Sequence, residues 1–255
     1  MRRYLIGAAT LILAACSDNT GPTPSGSVGL GFQIAKTSPS SVVQGSDLAM
    51  AGSASVNTTA EGLEITRGSD VIVITRAQLV VKDVKLGSTS CEADADDTDC
   101  PTLHIGPYLV DVPVNGTDGN RAVVPVIEGT YSSVRLTLHK VTSNDAADAA
   151  FRQANPDFRD ISVRLEGTYN GAAFVFINDV NAKLDVPLPE DLTIDEDGGD
   201  VTVTIDFAAW FANSQGGLYS PTLANTPGNV RANVQNNIRA AFRAFRDDNR
   251  DGRED

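Results

Sequence analysis

The sequence predicts an all-β protein, an antiparallel β-sandwich with an α-helix docked on it near the C-terminal end. Three observations predict this class. Runs rich in valine, isoleucine and threonine recur about every ten residues, turn residues separate them, and no long helical pattern intervenes before residue 226. A parallel α/β sheet would instead need helices between successive strands. With 41% hydrophobic residues, the chain of 255 residues can bury a substantial core.

The predicted strands begin near residue 63. Alternation is clearest at Val134, Leu136 and Leu138, whose polar neighbours would face the solvent. Asn170-Gly171 lies between two strand patterns and predicts a hairpin. The predicted strands are residues 71–75, 77–86, 103–114, 121–126, 133–141, 161–169, 172–178, 181–186 and 201–207.

Two segments depart from the strand pattern. Residues 145–152 predict a short helix in an insertion, and a longer helix begins at Thr226, with Pro227 at its first position. The apolar residues of the longer helix fall on one face, which we expect to pack on the sandwich. They are Val230, Val234, Ile238, Ala241, Phe242 and Phe245. Trp210 has apolar neighbours and predicts a core position or a docked helix rather than a sugar-binding platform.

Residues 1–15 predict a secretory signal peptide. Arg2 and Arg3 precede a short apolar run, and Leu-Ala-Ala directly precedes Cys16. The run is about half the length that a membrane-spanning helix needs. A cysteine in this position resembles the lipobox of bacterial lipoproteins, which implies that Cys16 becomes the acylated first residue of the mature chain. Residues 16–41 are rich in serine, threonine, glycine and proline and predict a flexible tether. We assign residues 42–225 to the sandwich domain and residues 226–255 to the helix and an acidic tail.

A second resemblance rests on residues 125–138, Pro-Val-Ile-Glu-Gly-Thr-Tyr-Ser-Ser-Val-Arg-Leu-Thr-Leu. This stretch resembles the proline, glycine, tyrosine and strand signature of transthyretin-like, or prealbumin-like, β-sandwich modules. With the lipobox and Leu-Val-Asp-Val-Pro-Val at residues 109–114, the chain is similar to a group of largely uncharacterised bacterial surface lipoproteins. The similarity covers residues 63–207. It implies a transthyretin-like or immunoglobulin-like sandwich with an exported binding or structural role, and it supplies no catalytic residues.

Cys91 and Cys100 bracket an acidic segment and are the two cysteines that remain when Cys16 carries lipid. An even number of cysteines in an oxidising compartment predicts a disulfide, which would close this loop and stabilise the fold by about 2–3 kcal/mol. The alternative is a metal site built on two thiols, which lacks a Cys-x-x-Cys pair and nearby histidines.

The acidic tail carries the best candidate for a binding site. Its acidic and amide residues stand at alternate positions, and Gly252 stands sixth, as in the first half of an EF-hand calcium loop. The glutamate of the twelfth position is missing, and the terminal carboxylate or a neighbouring loop would have to replace it. The candidate calcium ligands are Asp247, Asn249, Asp251, the carbonyl of Arg253, and Asp255. Such a half-loop predicts a Kd of about 10⁻⁴–10⁻³ M. The alternative is a solvated tail in which Gly252 ends the last turn.

We expect the remaining titratable residues to lie on the surface rather than in a functional site. His139 stands on the polar side of a predicted strand, and neither His139 nor His104 belongs to a His-Glu-x-x-His motif. No Gly-x-Ser-x-Gly motif and no phosphate-binding glycine loop occurs. The aspartates between the two cysteines are a second candidate cation site, but adjacent carboxylates repel each other, so we interpret them, like the turn at residues 195–200, as solvated charge. Those aspartates are Asp94, Asp96, Asp97 and Asp99.

These observations predict a lipid-anchored extracytoplasmic module that binds or supports other molecules without catalysis, with calcium as its one candidate cofactor. The net charge of −13 repels nucleic acid, so the expected partners are the membrane, through the lipid, and an unidentified ligand or protein. The resemblance to bacterial lipoproteins implies that Ser17, which is not an aspartate, favours the outer membrane, if the cell has one. Two alternatives stay open: an extracytoplasmic hydrolase that uses carboxylates the sequence does not single out, and a subunit of an adhesive or envelope assembly.

Overall fold

The structure, a computed structural model, describes residues 25–35, 54–88, 102–104, 106–116, 121–142 and 144–254. Within these ranges the chain is mostly β, as predicted. The strands are β1 (Gly26–Ile34), β2 (Ser55–Thr59), β3 (Gly62–Arg67), β4 (Asp70–Gly87), β5 (Thr102–His104), β6 (Tyr108–Val112), β7 (Ala122–Val126), β8 (Gly129–Leu138), β9 (Val163–Tyr169), β10 (Ala172–Asn178), β11 (Ala182–Ile194), β12 (Gly199–Ile205) and β13 (Phe242–Arg246). The helices are α1 (Ala146–Ala154), α2 (Phe207–Phe211), α3 (Pro221–Ala224) and α4 (Asn229–Ala240), and a short 3₁₀ helix spans Pro156–Phe158.

The first sheet has the strand order β13, β12, β1, β7. On β1 every second residue is apolar and buried, namely Val28, Leu30, Phe32 and Ile34. The tether predicted for residues 16–41 is therefore wrong over β1, which is a central strand. β1 pairs antiparallel with β7 but parallel with β12, so the predicted antiparallel arrangement is wrong for the β1–β12 pair.

The second sheet is organised around β4, a strand of 18 residues. One side of β4 pairs in turn with β3, β6 and β5, and the other side pairs with β9 and then with β8. The register is irregular between Ile74 and Arg76 in the pairing with β9, and between Lys82 and Lys85 in the pairing with β8. β10 extends the sheet beyond β9, β2 extends it beyond β3, and β11 pairs with β8.

One hydrophobic cluster joins the two sheets. Strands of both sheets contribute to it, and α2 adds Phe207, Trp210 and Phe211, each at most 1% exposed. The ring of Trp210 packs against Phe207 with centroids 4.6 Å apart. The prediction that Trp210 lies in the core or on a docked helix is confirmed. Two sheets that share one core are compatible with a β-sandwich.

The C-terminal helix is shorter than predicted. α4 begins at Asn229 rather than at residue 226, and Val234 and Ile238 are its buried residues. The chain leaves the helix at Ala241, and the next five residues form β13, antiparallel to β12. The helical spacing misled the prediction because Phe242 reaches the core from a strand instead. The boundaries predicted at residues 42 and 225 therefore cut through the first sheet, whose β1 and β13 lie outside them.

Several predicted features lie outside the described residues. They are the signal peptide, Cys16, the Cys91–Cys100 disulfide and Asp255. Of the helices in the described part of the chain, none has the length and apolar character needed to cross a bilayer.

Candidate functional site

The outer face of the first sheet, turned away from the core, carries a partly buried ionic cluster. Small residues of β1 make room for it. A Cβ atom at Gly29 would lie 2.0 Å from Oδ1 of Asp200, and one at Gly31 would lie 3.4 Å from the side chain of Arg121. The glycines that resembled a tether in the sequence thus lie beneath charged side chains of β12 and of the residue before β7.

Arg121, Asp200, Asp247 and Arg250 form this cluster, and we call it the ionic cluster. Arg121 donates from Nη2 to Oδ2 of Asp247 and from Nη1 to Oδ1 of Asp200, the latter at 3.3 Å. Arg250 donates to Oδ2 of Asp200 from Nη2 at 3.0 Å and from Nε at 3.1 Å. The Thr202 hydroxyl donates to Asp247 at 2.5 Å. Two guanidinium groups thus face two carboxylates and compensate their charges, with the side chain of Arg250 62% exposed and that of Asp247 fully buried.

The same contacts fold the acidic tail back onto the sheet. The backbone N–H of Gly252 donates to Oδ1 of Asp247 at 3.2 Å, and Gln33 of β1 donates to the carbonyl of Gly252 at 2.8 Å. The backbone N–H of Asp200 donates to Oδ1 of Asp248 at 3.3 Å. The tail therefore contacts the sheet through these groups, although most of its side chains are exposed.

The candidate calcium ligands do not share one environment. Asp247 has a fully buried side chain within the ionic cluster. Asn249 and Asp251 are exposed, and their Oδ1 atoms accept from the backbone N–H groups of Asp251 and Arg253 at 2.8 and 2.9 Å. In the described ranges, no three histidine, cysteine, aspartate or glutamate side chains stand close enough to hold a metal ion. Calcium binding by the tail stays a prediction.

A groove of about 290 Å³ lies between β11 and the tail. It is lined by Pro189, Glu190, Arg246, Asp248, Asn249 and Glu254. Burial raises the pKa of Asp248, but hydrogen bonds from Arg246 and from the backbone of Asp200 outweigh this and leave the pKa lowered. A general acid needs a raised pKa, so Asp248 is not suited to that role.

His139 is not the surface residue that the strand pattern predicts. Its Nε2 lies 2.7 Å from Oδ1 of Asp148, whose side chain is fully buried, and only 14% of the His139 side chain is exposed. Oδ2 of Asp148 accepts from the backbone N–H of Thr142 at 2.7 Å and from its hydroxyl at 3.2 Å. Burial raises the pKa of Asp148, and the contacts with Thr142 and His139 lower it further than burial raises it. This pair connects the end of β8 to α1.

A third charged group anchors the helical region. Asp179, between β10 and β11, pairs with Arg231 of α4 at 2.5 Å and with Lys140 at 3.2 Å. Burial raises its pKa, and hydrogen bonds from these two cations lower it by more. Arg231 also donates to the carbonyls of Ala224 and Asn225, at the end of α3. An arginine of the predicted helix thus pairs with an acidic group of the domain.

Sequence reasoning missed the ionic cluster and the His139–Asp148 pair. An available signal was the alternation of apolar residues along β1, which places its glycines on the opposite face. Comparison of the chain with protein-family models, with curated protein sequences and with solved structures gives no match. The fold and the site define a mostly β protein in which buried charged side chains hold separate segments of the chain together.

Proposed function

We propose that this protein is a lipid-anchored extracytoplasmic module that binds or supports other molecules and has no catalytic activity. Acylation of Cys16 would hold it at the membrane, in the outer membrane if the cell has one. As a finer statement of its fold, we propose a transthyretin-like or immunoglobulin-like sandwich with a disulfide between Cys91 and Cys100. The hydroxyl of Tyr131 donates to the carbonyl of Ile127 at 2.6 Å, a contact of the kind that pins a corner in such sandwiches.

One observation carries the non-catalytic part of the proposal. The described buried carboxylates of Asp148, Asp200 and Asp247 accept hydrogen bonds from cations, hydroxyls or backbone N–H groups of the chain itself. A catalytic carboxylate must instead present a free oxygen to a substrate within a cleft. These carboxylates are thereby committed to holding β8, β12 and the tail in place.

The location is tested by labelling. The full chain, produced in bacteria that are fed a palmitate analogue, should incorporate the label and fractionate with membranes. Cys16→Ser should lose both properties, whereas Cys91→Ser should keep both and serves as the control. A wild-type chain that fractionates with membranes without any label would contradict acylation, and one found only in the cytoplasm would contradict export.

The hydrolase alternative keeps one observation in its favour, the three carboxyl groups of the groove beside β11. Glu190 and Glu254 are the candidates there, because the lowered pKa of Asp248 does not suit an acid. The full chain should show no hydrolysis of chromogenic glycosides and esters. Turnover that is lost in both Glu190→Gln and Glu254→Gln, but kept in Glu61→Gln as a control from another surface, would replace our proposal with a hydrolase.

The assembly alternative is favoured by an apolar surface beside the outer strand β10. Val175, Ile177 and Leu223 are exposed by 45%, 37% and 61%. The edge of β10 is already occupied in part, because the side chain of Asn225 accepts from the N–H of Ile177 and donates to the carbonyl of Val175. Light scattering on the full chain in detergent, with and without Val175→Ser, measures the oligomeric state. An oligomer that is lost in the variant would favour assembly through β10.

A further inference from the structure

One edge of the second sheet is closed by a side chain rather than by a strand. β10 is the outermost strand on this side, and it pairs with β9 along all seven of its residues. In the described ranges, no strand pairs with the other edge of β10. An edge of this kind presents a row of backbone N–H and C=O groups, to which another chain can add a strand.

Asn225, which caps the C-terminus of α3, takes the place of a neighbouring strand at this edge. Its Oδ1 accepts from the N–H of Ile177 at 2.9 Å, and its Nδ2 donates to the carbonyl of Val175 at 2.8 Å. A residue of a parallel strand lying opposite Phe176 would make the same two bonds with its own carbonyl and N–H. The side-chain amide of Asn225 therefore mimics the backbone of an added strand.

Arg231 of α4 holds Asn225 in this position. Its Nη1 donates to the carbonyl of Asn225 at 3.1 Å and to the carbonyl of Ala224 at 3.4 Å. Its Nη2 pairs with Asp179, the residue that directly follows β10. The guanidinium group thus connects the end of β10 to the backbone of Asn225, and it fixes the amide beside the edge.

We propose that Asn225 is a plug that keeps the edge of β10 from pairing with β10 of a second copy of this chain. The sequence of β10, Ala-Ala-Phe-Val-Phe-Ile-Asn, has no charged residue and no proline, which are common protections of an edge strand. Short uncharged segments of high β propensity pair readily with copies of themselves. Val175 and Ile177 are 45% and 37% exposed, so pairing of two copies would also bury apolar surface. The plug supplies the protection that the sequence of β10 lacks.

Analytical ultracentrifugation of the full chain in detergent tests the plug. The wild type should stay a monomer as its concentration rises, whereas the protein mass of Asn225→Ala should approach twice that of the monomer. Asn225→Ala combined with Val175→Lys should return to the monomer, because a lysine on an edge strand opposes pairing. Asn233→Ala is the matched control and should stay a monomer, because it removes an exposed amide that bonds to Tyr219 rather than to β10.

Hydrogen exchange of the wild type tests the contact without a variant, and it decides if Asn225→Ala fails to fold. The N–H of Val175 points away from β9 like that of Ile177, because residues two apart in a strand bond on the same side. Asn225 bonds only the second of these N–H groups. After correction for intrinsic rates, the Ile177 amide should therefore exchange about fivefold more slowly than the Val175 amide.

Three results would overturn the plug. They are a folded Asn225→Ala that stays a monomer, a dimer that persists in the double variant, and equal protection of the two amides in the wild type. A wild-type oligomer that is lost in Val175→Ser would also overturn it, because the edge would then be open, and it would favour the assembly alternative.

Discussion

Removal of Arg121 should destabilise the fold far more than removal of an exposed arginine. In Arg121→Ala, Asp247 would keep the hydroxyl of Thr202 and one backbone N–H but lose its cation while fully buried. Loss of one partner of a buried ion pair costs about 3–5 kcal/mol. Because Asp200 keeps Arg250, we expect the lower end, about 3 kcal/mol.

Equilibrium unfolding in urea measures this loss. With a slope of about 3 kcal/mol per molar urea, the midpoint should fall by about 1 M. Arg76→Ala is the matched control, because Arg76 is 54% exposed and lies 3.7 Å from Glu166, so the expected loss is about 0–1 kcal/mol.

A double variant separates charge from packing. Arg121→Met combined with Asp247→Leu removes the buried pair and leaves no uncompensated carboxylate at position 247, so it should recover part of the loss. If Arg121→Ala unfolds at the same urea concentration as Arg76→Ala, the ionic cluster does not hold the tail to the sheet and the reasoning fails.

Three further predictions address the tail, the acid response and the backbone. Millimolar calcium should raise the Tm of the full chain but not that of Asp251→Asn, which keeps the turn and loses the charge. A wild-type Tm that does not change with calcium would contradict the calcium prediction. The N–H of Leu218 and neighbouring groups lower the pKa of Asp70 below its ordinary 3.8, so its stabilising effect is complete above that pH and is lost as the pH falls through the lowered value. The urea midpoint of Asp70→Asn should therefore fall less than that of the wild type between about pH 5 and about pH 2.5, and equal falls would count against this assignment. Gly167→Ala would place a Cβ 1.8 Å from a carbonyl oxygen of β4 and should lower the free energy of unfolding by more than about 2 kcal/mol. Gly171→Ala has open space around the new Cβ and should lower it by about 1 kcal/mol, because the φ of Gly171 is 80°. Similar losses in the two variants would refute the steric argument.

Sequence patterns predicted the strands and helices that are determined by residues close to one another in the chain. The strand predicted at residues 172–178 is observed as β10, Ala172–Asn178, because an Asn-Gly turn and a period of two both lie within a few residues of it. The short helix predicted at residues 145–152 is α1, whose first turn is capped by Asp145.

Elements whose causes are distant in sequence could not be predicted in this way. The glycines of β1 indicated a tether because the side chains that need their space, Arg121 and Asp200, come much later in the chain. The alternation of apolar residues along β1 indicated a strand, but the glycine content of the same segment favoured a tether. Similarly, strand alternation correctly placed His139 on the polar side of β8, but it could not show that α1 covers that side.

The parallel pairing of β1 with β12 affects when the first sheet can form. Val28 pairs with Gly199, so most of the chain must be present before β1 acquires this neighbour. Contacts so distant in sequence close slowly. A chain with the predicted signal peptide would have to cross a membrane before folding, and a central strand that waits for a late partner delays folding during synthesis. The same delay leaves an apolar strand exposed, so a chaperone that shields β1 until β12 arrives would protect the newly made protein from aggregation.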